Sequence, residues 1–171
     1  MQRSELLALQ APIKERYKAE PKRALVTLSA EGELGQGISC DVQTGAALAK
    51  AGLHPATGGD GLAFCSGDML LQALVACAGV TLNAVATAIG VPIRSGSVRA
   101  EGDLDFRGTL GVAKDVPVGF QDIRLAFDLE TDAPDEQLAT LMRLTERYCV
   151  VYQTLRTPAR ITMNVTQTRH T

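Results

Sequence analysis

The chain has 171 residues, the usual size of one domain, and 46% of them are hydrophobic, enough to fill a core. Lys and Arg number 17 against 19 for Asp and Glu, so the formal charge is -2 and no basic face is expected. That balance excludes nucleic acid as an expected partner. The four cysteines, Cys40, Cys65, Cys77 and Cys149, are too few for a disulfide scaffold and lack the close paired spacing of a structural zinc site. No cofactor-binding or metal motif is expected.

The polar opening, residues 1–22, lacks the apolar run of a secretory signal and is read as a helical extension interrupted near Pro12. A strand is expected from Arg23, and a second through GISCDVQTG, joined by a turn at Gly35 and Gly37. The stretch AGLHPATGGDG, with His54 and Gly52, Gly58, Gly59 and Gly61, reads as a loop beside the site; it has neither a Walker lysine nor the dinucleotide glycine spacing.

The segment SGDMLLQALVACAGVTLNAVATAIG carries apolar residues on almost every face, so it is expected to be a helix through the centre of the fold, capped by Ser66 or Asp68 and stopped at Gly90. Gln72, Thr81, Asn83 and Thr87 interrupt its apolar run, which argues against a membrane span. Gly79 suggests the close approach of a neighbouring backbone, while Cys77 lies on the other side with Leu70, Leu74, Thr81 and Ala84. Two alternating strands follow, SVRAEGDLDF and DIRLAFDLE, with an irregular excursion between them. An amphipathic helix over PDEQLATLMRLTERY should bury Leu138, Leu141, Met142 and Thr145. Cys149 falls at a break before a short helix, VVYQTLR, and ARITMNVTQT is expected to be a last strand. The free amides at that break and Arg147 are expected to favour a thiolate on Cys149.

Cys77 and Cys149 stand far apart in the chain, so only tertiary structure can join them. The segments DMLLQALVACAGVTLNAVATAIG and TERYCVVYQTL resemble the OsmC/Ohr family of thiol-dependent hydroperoxide reductases, with Cys77 and Cys149 at the family's two cysteine positions. The resemblance runs from about Arg23 to Thr166. It implies an α+β, OsmC-like fold of curved antiparallel sheets around long central helices, in an intertwined homodimer. It also implies a chemistry: Cys77 attacks an organic hydroperoxide and becomes a sulfenic acid, Cys149 closes a disulfide, and an external dithiol reopens it.

Three departures stand out. Val150 replaces the proline that often follows the second cysteine, Gly67 stands where a glutamate is expected with Asp68 beside it, and the turn EGELGQG lacks the family's arginine. Arg23, Arg99, Arg147 and Arg156 are the possible replacements. These departures keep a second function open, a small-molecule or electrophile binding protein on the same fold with weak or no peroxidase activity. A metal site built from His54, Cys65, Cys77 and Cys149 is a third. The whole chain, 1–171, is read as one cytoplasmic domain.

Overall fold

The structure, a computed structural model that describes residues 2–20, 32–34, 39–44, 47–111 and 113–167, contains two small sheets and a long apolar helix. Helix α1 (Arg3–Ala19) runs unbroken through Pro12, contrary to the expected interruption, and reaches α2 (Ser66–Ile89), with Leu6 buried. Of the strand expected from Arg23 only the end is described, as residues 32–34; residues 23–31 and the turn at Gly35 and Gly37 lie outside the described residues.

The first sheet has the order β1-β2-β3-β4: β1 (Gly32–Leu34), β2 (Ser39–Thr44) and β3 (Ala47–Gly52) are antiparallel neighbours, and the two-residue β4 (Phe64–Cys65) pairs parallel with β3. The parallel step departs from the all-antiparallel expectation. It delivers the chain directly into α2, whose N-cap is Cys65, neither Ser66 nor Asp68. Gly90 ends α2 with φ +74°, a left-handed conformation open to glycine, and its N–H returns to the Ala86 carbonyl.

The second sheet is the antiparallel pair β5 (Ser95–Leu104) and β6 (Phe120–Glu130), interrupted by the four-residue helix α3 (Phe106–Thr109). Strict alternation points Val98, Ala100 and Leu104 inward opposite Phe127, Leu125 and Phe120. On the outer face Arg124 is held by Asp103 and Asp122. Helix α4 (Asp135–Tyr148) buries Leu141 and Thr145 completely, as its sequence predicts, and Leu141 joins Leu82, Val85, Ala86 and Val91 in the core. The helix then breaks at Cys149 and resumes as α5 (Val150–Arg156).

Two expectations need correction. Residues 158–167 form no strand, and Ile161, Met163 and Val165 are about nine-tenths exposed, since this segment pairs with no strand among the described residues. Helix α2 is also less covered than its composition requires. It packs on α4, β5 and α5 through Leu74, Ala78, Leu82, Val85 and Ala86, while Leu70 and Val80 are exposed.

The close backbone expected at Gly79 is absent among the described residues: a methyl group there would meet only Val98 Cγ2, at an ordinary 3.6 Å. Gly79→Ala should therefore stabilise the protein by about 0.5–1 kcal/mol, since helical glycine is entropically costly. In thermal unfolding, Tm should rise by about 2–4 °C. A fall in Tm would mean that another surface presses on Gly79.

Candidate active site: a thiol pair at a helix break

Cys77 occupies the middle of α2, held in a hydrogen-bonded helix with little freedom to move. Cys149 sits at the junction of α4 and α5 with φ -72° and ψ 108°, extended geometry that serves at once as the end of one helix and the cap of the next. Its N–H donates to the Thr145 carbonyl at 3.0 Å and its carbonyl accepts from Gln153 N–H at 3.0 Å, so both helices are tied to this one residue. Gln153 also donates through Nε2 to the Glu146 carbonyl at 2.8 Å, and Arg156 pairs with Glu146 across the break. That ion pair is exposed and contributes little to stability.

The break brings the two thiols together. Burial would raise the pKa of Cys77, but hydrogen bonds from the Val151 N–H, the Cys149 thiol, the Val150 N–H and the Thr81 hydroxyl outweigh it. The net effect holds Cys77 below the ordinary thiol range. Cys149, only 1% exposed, moves the other way: burial raises it, and the Tyr152 and Val151 N–H groups do not offset burial together with the charge and hydrogen bonding of Cys77. The two thiols are thus pushed apart, Cys77 toward the thiolate form and Cys149 toward the thiol.

This reverses one expectation from sequence. The free amides of the break were expected to favour a thiolate on Cys149; they serve Cys77 more effectively. Nor does Arg147 supply charge to Cys149, since its guanidinium lies 5.5 Å from the centroid of the exposed Tyr148 ring. Of the other candidate arginines, Arg99 pairs with Glu101 and Arg156 with Glu146, and Arg23 lies outside the described residues. Thr81 was legible from its position one turn beyond Cys77. The amides of Val150 and Val151 were not, because backbone donors leave no signature in residue type.

His54, Cys65 and Asp68 line a separate cleft of about 350 Å³ at the start of α2. Twelve helical positions separate Cys65 from Cys77, roughly 18 Å along the axis. His54 Nδ1 accepts from Ala56 N–H at 3.0 Å and its ring stacks on Phe106 with centroids 4.9 Å apart, so it braces the local turn. Gly67, at the position of the expected glutamate, faces Phe120 and Cys65. Among the described residues, no three His, Cys, Asp or Glu side chains converge to hold a metal. Closer to the thiols, a cleft of about 440 Å³ opens between β6 and α5, over Leu74, Ile123, Tyr152 and Arg156. A smaller one of about 160 Å³ reaches Cys149 itself.

Fold and paired thiols define a class. Residues 58–164 match the family model for OsmC-like protein, and the chain belongs to that family. Among solved structures it is similar to an OsmC-like protein from Mycoplasma pneumoniae, with TM-score 0.65, 17% identity, and coverage of 78% of this chain and 89% of that one. It is also similar to an organic hydroperoxide resistance protein from Legionella pneumophila (TM-score 0.60, 17% identity, 78% and 91% coverage). Another such protein, from Elizabethkingia anophelis, gives TM-score 0.61 and 15% identity with the same coverages. No curated protein sequence matches this chain at a significant level.

Val150 offers a direct probe of the site. Proline is well tolerated at the first position of a helix but has no N–H to donate. Val150→Pro should fold normally and lose one hydrogen bond to the Cys77 sulfur, raising its pKa. Alkylation of Cys77 by iodoacetamide at neutral pH should slow by about threefold to tenfold. An unchanged rate in a folded variant would show that the Val150 amide does not stabilise the thiolate.

Proposed function

We propose that the protein reduces organic hydroperoxides with its own thiols and is regenerated by an external dithiol. What supports this reading is the coupling of Cys77 and Cys149 at the helix break, which lowers the pKa of the first thiol and raises that of the second. A thiolate is the nucleophilic form of cysteine, and a rigid helix keeps it in a fixed attacking position. Cys77 attacks the distal peroxide oxygen and becomes a sulfenic acid, and the peroxide leaves as an alcohol. Cys149, at the helix break, then displaces hydroxide from that sulfur to close the disulfide. The solved Legionella and Elizabethkingia proteins are described as organic hydroperoxide resistance proteins, which supports the same chemistry here. The cycle needs no cofactor or metal.

The reading includes a homodimer of the whole 171-residue chain as one domain, working in the cytoplasm. Helix α2 is apolar and long enough to cross a membrane, yet only 22% of its most apolar window is buried within one chain. The OsmC-like fold is that of a soluble protein, so a second copy is the natural cover for the exposed side of α2. The alternating Ile161, Met163 and Val165 offer that copy a strand. Light scattering at micromolar concentration should give twice the chain mass of 18.1 kDa. A monomer would contradict the homodimer.

A second reading has one observation in its favour. Among the described residues, no arginine contributes to the hydrogen bonding of Cys77, and Gly67 and Asp68 lie in the separate cleft. On that reading the protein binds small molecules or electrophiles on the same fold. Intact-mass analysis after one equivalent of cumene hydroperoxide separates the two. Wild type should lose two hydrogens as the disulfide forms, Cys149→Ser should gain one oxygen, and Cys77→Ser should be unmodified. Free thiols on wild type after exposure would discard the peroxidase in favour of the binding protein.

A further inference from the structure

The cleft of about 350 Å³ at the start of α2 takes no part in the thiol pair: neither Cys77 nor Cys149 borders it. Its walls are apolar and aromatic. Leu71 on α2, Leu104 at the end of β5, Phe106 on α3 and Phe120 at the start of β6 bring four elements to it. His54 adds a further ring, fixed by stacking on Phe106 at an interplanar angle of 17°. Its Nδ1 accepts the Ala56 N–H, which at that nitrogen only the neutral imidazole can do. Gly102 shapes the same wall. A Cβ there would lie 2.6 Å from the Phe120 ring and 3.4 Å from Leu71, so the absence of a side chain lets both close on the cleft.

Charge in the cleft has one sign. Asp68 is the only acidic residue among those that line it, and no Lys or Arg does so. The N-terminus of α2 also borders the cleft through Ser66 and Gly67. A helix end carries only about half a positive charge, however, against the full negative charge of a carboxylate. The balance is negative, and Asp68 is exposed, with no cation paired to it among the described residues.

We propose that this cleft is a second ligand site, and that it binds a compact aromatic amine in its protonated form. The ring lies among Phe106, Phe120 and the apolar side chains, and the ammonium meets Asp68. About 150 Å³ of apolar cavity takes one benzene ring, so this volume suits two fused rings with a short side chain. Aromatic faces attract a nearby cation as well as an apolar ring, and the exposed carboxylate lets the ammonium keep part of its hydration. A carboxylate or phosphate ligand would meet a like charge instead. No covalent step is involved, and the site goes beyond the peroxidase reading, which the intact-mass experiment tests separately.

The chain has no tryptophan, so indole fluorescence excited beyond the tyrosine band reports only an added ligand. Tryptamine, 3-methylindole and indole-3-propionate share that ring and differ in charge. With the full chain, tryptamine anisotropy should rise saturably, and tryptamine should bind about threefold to fivefold more tightly than 3-methylindole. Indole-3-propionate should bind more weakly than either. Asp68→Asn keeps the shape at an exposed position and removes the charge. It should lower tryptamine affinity by about that same threefold to fivefold and leave 3-methylindole unchanged. Phe106→Leu, which keeps the apolar bulk, should weaken all three ligands by about threefold. Unsaturable binding of tryptamine, equal or tighter binding of the propionate, or unchanged tryptamine affinity in Asp68→Asn would each overturn the site.

Discussion

Two thiols that share one proton cannot be equivalent, and the site depends on which of them holds it. Burial alone would keep both protonated. The chain breaks that symmetry with backbone geometry: the turn into α5 directs the Val150 and Val151 amides at Cys77, and the Cys149 thiol adds a third donor. Ionisation is therefore favoured on the sulfur in the rigid helix and disfavoured on the sulfur at the break. The proposed division between attacking and resolving cysteine rests on that placement.

The rest of the fold holds the break beside the middle of α2. The β5–β6 pair lies along α2 through Val98, and the core around Leu82, Val85 and Leu141 fixes α4 on it. The end of α4 then sets where Cys149 falls. Val150 gives this chain something that a proline cannot, an N–H at the first position of α5. In a site where no arginine reaches Cys77 among the described residues, that amide is part of what replaces a fixed positive charge. The replacement is weaker in long-range field but pays no desolvation cost of a buried cation.

Much of this was legible in the sequence because it rests on periodicity. The alternation in DIRLAFDLE and the heptad-like apolar spacing of α4 predicted β6 and the burial of Leu141 and Thr145. Cys77 and Cys149 stand out by their settings and by family resemblance, and the structure places them where each influences the other's ionisation. What remained hidden depends on the backbone or on another surface. The amide donors carry no residue signature, so their action on Cys77 is not legible in the sequence. Pro12 was expected to interrupt α1, yet the helix passes through it. The strand expected in ARITMNVTQT has the right alternation, but a strand needs a neighbour, and within one chain Ile161, Met163 and Val165 have none among the described residues.

The central claim is the unequal protonation of the two sulfurs, and a pH titration of the cysteine β-carbon shifts in the reduced protein tests it most directly. Cys77 should titrate below the ordinary thiol value of about 8.5, and Cys149 above it. As pH rises, Cys77 should ionise first and reach its full nucleophilic population while Cys149 still carries its proton. Replacing Cys149 with alanine should move the Cys77 midpoint upward, since a donor to the thiolate is lost. Titration of Cys77 at or above the ordinary value, or of Cys149 first, would contradict the account.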